Sequence, residues 1–194
     1  MKQFRLLWAA AGATVLLGAL VASASAGRLS MSANTVRATW TRLSFSGGFG
    51  TIECEVVIEG SVHSRTINKW AGALYGYVTA ANVPRCARGG VTILRETLPW
   101  HATYSAFTGT LPNITGIETN VNGVSFSVRE PSFGITCLAR GTVAAFYNRE
   151  TTTGTSVSIS ASGTLLCGSF NGTISGTSSA LEAREATRIT VTLI

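Results

Sequence analysis

The chain has 194 residues, a formal net charge of +6, 12% charged residues and 45% hydrophobic ones. A positive charge spread this thinly, almost all of it arginine, does not make a nucleic-acid surface; such readers concentrate basic residues and interleave stacking aromatics. Every acidic residue is glutamate, so the aspartate-rich loops that hold hard cations are missing, and neither a metal nor a cofactor is expected.

The N-terminus reads as a targeting segment. Lys2 and Arg5 precede an apolar run over residues 6–21, and Ala24-Ser25-Ala26 supplies small residues at a cleavage site. This pattern predicts a signal peptide over 1–26 and one mature domain over 27–194, exported to the extracellular space or cell surface, with no membrane span once the leader is cut. Four cysteines in an exported chain read as two disulfides. Cys54 with Cys86 and Cys137 with Cys167 is the favoured pairing; each closes a loop of about 30 residues, for which chain-entropy accounts give about 3–4 kcal/mol. The cysteines lack the close spacing of a zinc site.

Strand patterns then follow one another. Residues 36–46 change phase, with Val36, Ala38 and Trp40 on one parity and Leu43 and Phe45 on the other, which predicts a bulge near Thr41-Arg42. Ser46-Gly47-Gly48 predicts a turn. Beyond it, Ile52, Cys54, Val56 and Ile58 face one way while Glu53 and Glu55 face the other, a strand with one buried and one wet face. Residues 70–81 could be helical by alanine content, but Gly72 and Gly76 disfavour that, and the alternation of Tyr75, Tyr77 and Thr79 predicts a strand. Pro84 and Arg88-Gly89-Gly90 place Cys86 in a loop, and residues 91–98 and 100–107 read as two further strands.

Asn122-Gly123 is the strongest turn signal in the chain. A two-residue type I′ turn there sets Val121 opposite Val124, Thr119 opposite Phe126 and Ile117 opposite Val128, with all the large apolar residues on one face. Further strands are expected over 135–138, 143–147, 157–159 and 165–170, with a second hairpin at Asn171-Gly172. Residues 180–186 read as a helix of about two turns, short for independent stability. Ile189, Val191 and Leu193 share one face of a closing strand.

Candidate chemistry is sparse. His63 and His101 are the available imidazoles, yet no G-x-S-x-G elbow is present and no aspartate could orient a base. Glu53 and Glu55 stand on one strand face, which suits pairing with arginines on neighbouring strands better than straddling a glycosidic bond. Trp70, Trp100, His101 and Tyr104 lie beside chain breaks and form the candidate ligand-binding set, with a glycan or cell-surface component as the partner.

The expected fold is all-β, a single sandwich or barrel of about 8–12 short, mostly antiparallel strands with at most one short helix near the C-terminus. The first functional expectation is an exported, disulfide-stapled, non-enzymatic domain that binds a ligand or surface partner. A small outer-membrane β-barrel is the second, opposed by strand runs that look shorter than the bilayer requires. A secreted hydrolase of unrecognised class is the third.

Overall fold

The structure, a computed structural model, describes residues 28–47, 50–110, 113–132, 134–148, 152–163, 167, 173–177, 182–183 and 187–193. The predicted signal peptide lies outside these residues. In chain order the strands are β1 (Arg28–Met31), β2 (Thr35–Gly47), β3 (Gly50–Val62), β4 (Thr66–Asn68), β5 (Leu74–Cys86), β6 (Gly90–Ile93), β7 (Trp100–Thr110), β8 (Asn113–Glu130), β9 (Ile135–Asn148), β10 (Thr152–Gly163), β11 (Thr173–Thr177) and β12 (Val191–Leu193). A 3-10 turn, Arg95–Thr97, separates β6 from β7.

The fold is all-β and antiparallel, and its main sheet closes on itself. β2 pairs with β3, β3 with β5, β5 with β7, β7 with β8, β8 with β9, β9 with β10 and β10 with β11; β11 then returns to β2. Eight strands thus form a barrel wall, which removes the free edges that an open sheet would present. β6 adds to β8 beside the upper part of the wall. A second, three-stranded sheet, ordered β12-β1-β4, covers the lower end, where β2 begins and β3 ends.

Alternation sets which side chains enter the barrel. Trp40, Leu43, Phe45, Ile52, Cys54, Val56, Trp100, Phe126 and Val128 form an upper core, with the Phe45 and Phe126 rings edge to face at 5.1 Å. Leu29, Met31, Val62, Ile67, Tyr104, Ile117 and Ile189 form a lower core beneath the covering sheet. Tyr147 of β9 anchors the segment that leads into β12 by donating its hydroxyl to the Ile189 carbonyl at 2.7 Å. The phase change in β2 is a bulge at the expected place: Trp40 pairs with Val56 and Leu43 with Cys54, so Thr41 and Arg42 oppose one residue.

Asn122-Gly123 does not turn the chain. It lies inside the 18-residue strand β8. There Asn122 pairs with Thr142 and Val124 with Gly141, so Gly123, at φ +81°, is the extra residue of a bulge. One inserted residue flips side-chain parity just as a two-residue loop would, so the apolar pattern fits both. At this bulge β8 exchanges neighbours, from β7 below (His101 with Asn122) to β6 above (Phe126 with Ile93).

Other boundaries shift for similar reasons. Cys86 ends β5 instead of lying in a loop, directly opposite Cys54 and bonded to it with a Cα–Cα distance of 3.9 Å. Cys137 in β9 is bonded to Cys167. Two disulfides suit an oxidising, extracellular-type environment. The segment 91–98 is strand only to Ile93. The regions 135–138 and 143–147 belong to one strand, because β9 runs unbroken beside β8.

Within the predicted helix 180–186, Glu182 instead bridges Arg37 and Arg188. Its N–H donates to the Arg37 carbonyl at 3.0 Å and its carbonyl accepts from Arg37 at 2.7 Å. A helix of about two turns is marginal alone, and pairing with β2 satisfies the same backbone groups. The proposed hairpin at Asn171-Gly172 lies outside the described residues, as does 165–170 apart from Cys167.

Replacing Gly123 by alanine tests the bulge. The added Cβ meets no atom within 4 Å, so the cost is that of the left-handed backbone alone. The expected loss is about 1–2 kcal/mol, read as a lower urea midpoint at unchanged slope.

Candidate functional site

The outer wall of β2, β3 and β5 carries a ladder of opposite charges. Arg42 reaches Glu53 at 2.6 Å, Arg85 reaches Glu55 at 2.9 Å and Arg37 lies 3.7 Å from Glu59. Each glutamate meets an arginine of the next strand, as cross-strand pairing favours. Such exposed pairs contribute about 0–1 kcal/mol each, and their chief effect is a wetted surface.

The four residues of the expected ligand set are divided by the wall. Trp70 is 63% exposed, on the turn between β4 and β5. His101 is exposed on the outside of β7. Trp100 and Tyr104 are 2% and 3% exposed, in the upper and lower cores. Neighbours along a strand point to opposite faces, so Trp100 and His101 cannot share a surface. On the outside His101 instead joins a row with Tyr77 and His63; the Tyr77 ring lies 4.7 Å from His63 and 5.3 Å from His101, both edge to face.

Trp100 belongs to a different site. Between the upper and lower cores the barrel interior holds a partly open cavity of about 170 Å³. Trp40, Val56, Trp100, Phe126, Val121 and Val143 form much of its apolar wall. Ala38, Ala81, Ala102, Ala145 and Gly76 line it too, and their small side chains leave the space open. Polar atoms are few. The Trp100 indole N–H donates to Thr97 Oγ1 at 2.9 Å, and that hydroxyl donates to the Leu94 carbonyl at 2.7 Å. The Trp40 indole N–H, by contrast, is buried with no hydrogen-bond partner among the described residues. An unpaired buried donor of this kind costs about 1–3 kcal/mol.

Tyr75 and Thr119 are also among the lining residues. Burial pushes the Tyr75 phenol up to about 12, opposed in part by its hydrogen bond with Thr119. Burial, and then the nearby Glu118 carboxylate, also raise Tyr104. Both phenols stay neutral through the physiological range, so the lower half of the barrel carries hydroxyls rather than charge.

Of the residues expected to bind ligand, Trp100 alone lines the cavity. Trp40, Thr119, Val143 and Ala145 are not among the residues that the sequence marks for ligand binding. Their common signal is inward parity on successive strands, and it becomes a site only once the register is known. No family model, no curated protein and no solved structure matches the chain.

The Tyr75 shift gives a pH dependence with a definite sign. Its folded pKa lies above the unfolded value of 10.0, so its contribution is complete below pH 10 and is lost as pH rises toward about 12. Two units correspond to about 3 kcal/mol. Chemical denaturation between pH 9 and 12 (about two units to either side of the midpoint of the shift at most) should therefore show an alkaline loss of stability that is smaller in Tyr75→Phe.

Proposed function

We propose that the chain is an exported, non-enzymatic β-barrel that carries a small apolar ligand in its interior. The carrying observation is the partly open interior cavity of about 170 Å³, with its apolar wall. An engineered apolar cavity of about 150 Å³ stays dry and takes up benzene, so this space suits a ligand of at least that size. Eight-stranded barrels are either filled by their own side chains or hold one small ligand. The alanines and Gly76 along this wall favour the second outcome. The leader-like N-terminus and the two disulfides support a secreted or cell-surface location.

Glycan stacking is less well supported. Trp70 is exposed, but Trp100 and Tyr104, which would extend a stacking platform, face inward. The outer-membrane barrel gains on length, since β2, β3 and β5 each run 13 residues and β9 runs 14. It loses on polarity. Lipid-facing walls are apolar outside and polar within, whereas here charged pairs lie outside and the apolar core within. For the hydrolase reading, the imidazoles of His63 and His101 hydrogen-bond no hydroxyl or carboxylate among the described residues, so no observation favours it.

Toluene titrated into the protein should perturb the fluorescence of Trp40 and Trp100 saturably, with one site per chain. Val143→Phe and Ala145→Leu, which fill the cavity from the β9 side, should weaken binding by about tenfold or more while the circular dichroism stays that of a β-protein. Absence of saturable binding across small apolar probes, or undiminished binding in both filled variants, would refute the carrier reading.

A further inference from the structure

The barrel wall has a seam between β5 and β6. β5 is laddered to β7 only from Leu74 to Val78, where Trp100 is the last partner. Above that point the neighbour of β5 is β6, whose ladder runs to β8 instead. Among the described residues no backbone hydrogen bond joins residues 79–86 of β5 to β6. Along this seam lies a slot of about 120 Å³, lined by Ala81, Asn82 and Val83 on one side and by Val91, Thr92, Ile93 and Arg95 on the other. Ala81 and Ile93 also line the interior cavity, so the two spaces share a boundary. The rim is polar: Asn82, Thr92 and Arg95 are exposed, and Arg95 has no ion-pair partner among the described residues.

We propose that this seam is the entrance to the cavity and seats the polar end of the ligand, a single-chain amphiphile with an anionic head at Arg95 and an apolar body inside the barrel. The proposal rests on the carrier reading above and adds to it a route and a ligand class. Where the wall strands are laddered to one another, passage would require breaking their hydrogen bonds. At the seam it requires only displacement of the side chains of Val83, Val91 and Ile93, and side chains move far faster than paired strands separate. A guanidinium at the rim pairs well with a carboxylate, whose tail can then lie against the apolar wall.

Octanoate and octanol distinguish the parts of this proposal, with binding followed by stopped-flow tryptophan fluorescence. Wild-type protein should bind octanoate more tightly than octanol. Arg95→Gln should remove that preference, weakening octanoate by about three- to tenfold and leaving octanol unchanged. A bulky maleimide on Asn82→Cys should slow association and dissociation of octanol by about tenfold, whereas the same label on Thr39→Cys, on the outer face of β2, should not. Both labels are attached to folded protein, so a folding defect does not enter. Equal rates in the two labelled proteins would overturn the entrance, and equal losses for both ligands in Arg95→Gln, or none, would overturn the head-group assignment. If the unmodified protein binds neither ligand and no toluene, the carrier reading itself fails.

Discussion

Closure of the hydrogen-bonded ladder is the constraint on which the rest of this structure depends. The ring is completed where β11 returns to β2 and where β8 meets β9. Once closed, each strand has an inside and an outside, and strict alternation must serve both. The inside takes Trp40, Phe45, Val56, Trp100 and Phe126. The outside takes Arg37, Arg42, Glu53, Glu55, Glu59 and Arg85. Bulges in β2, β5 and β8 let strands of different length keep that parity around a curved wall. The disulfides pin the upper part: Cys54 to Cys86 across two wall strands, and Cys137 to Cys167.

A closed wall also makes empty space inside it meaningful. An open sheet loses a gap between side chains to solvent, whereas a barrel capped at one end retains it. Here the lower cap comes from the termini of the described chain, β1 and β12, together with β4, and the upper end is packed by aromatic and aliphatic side chains. The cavity lies between these layers, where alanines and Gly76 interrupt a lining of larger apolar side chains. β6 and β7 succeed one another along β8, and the handover at Gly123 leaves β5 and β6 adjacent but unlinked. The bulge that keeps apolar parity along β8 thus lies beside the seam in the wall.

Local patterns were legible where one physical signal had one solution. The parity change around Thr41-Arg42 had no turn residues near it, so a bulge was the natural reading, and the ladder contains one. The Glu53 and Glu55 face implied arginines on adjacent strands, and Arg42 and Arg85 occupy those places. Asn122-Gly123 had two solutions. Positive φ at glycine serves a hairpin turn and a bulge alike, and both bring residues 117, 119 and 121 to the same face as 124, 126 and 128. What separates them is whether β9 is present to pair with both halves of β8, which is not local information. The 180–186 segment likewise had a helical composition, but the free side of β2 offered its backbone a partner at Glu182.

The sequence by itself determined that this is an all-β chain of alternating strands with few candidate chemical groups, since side-chain periodicity and composition are properties of single segments. It also pointed to a secretory leader and to paired cysteines. Only the tertiary structure decided that the sheet closes into a ring, that Trp100 and His101 stand on opposite sides of its wall, and that an apolar cavity lies within. Those outcomes depend on registers between strands distant in sequence, as where β11 meets β2. They are set by the hydrogen-bonded and packed ensemble as a whole.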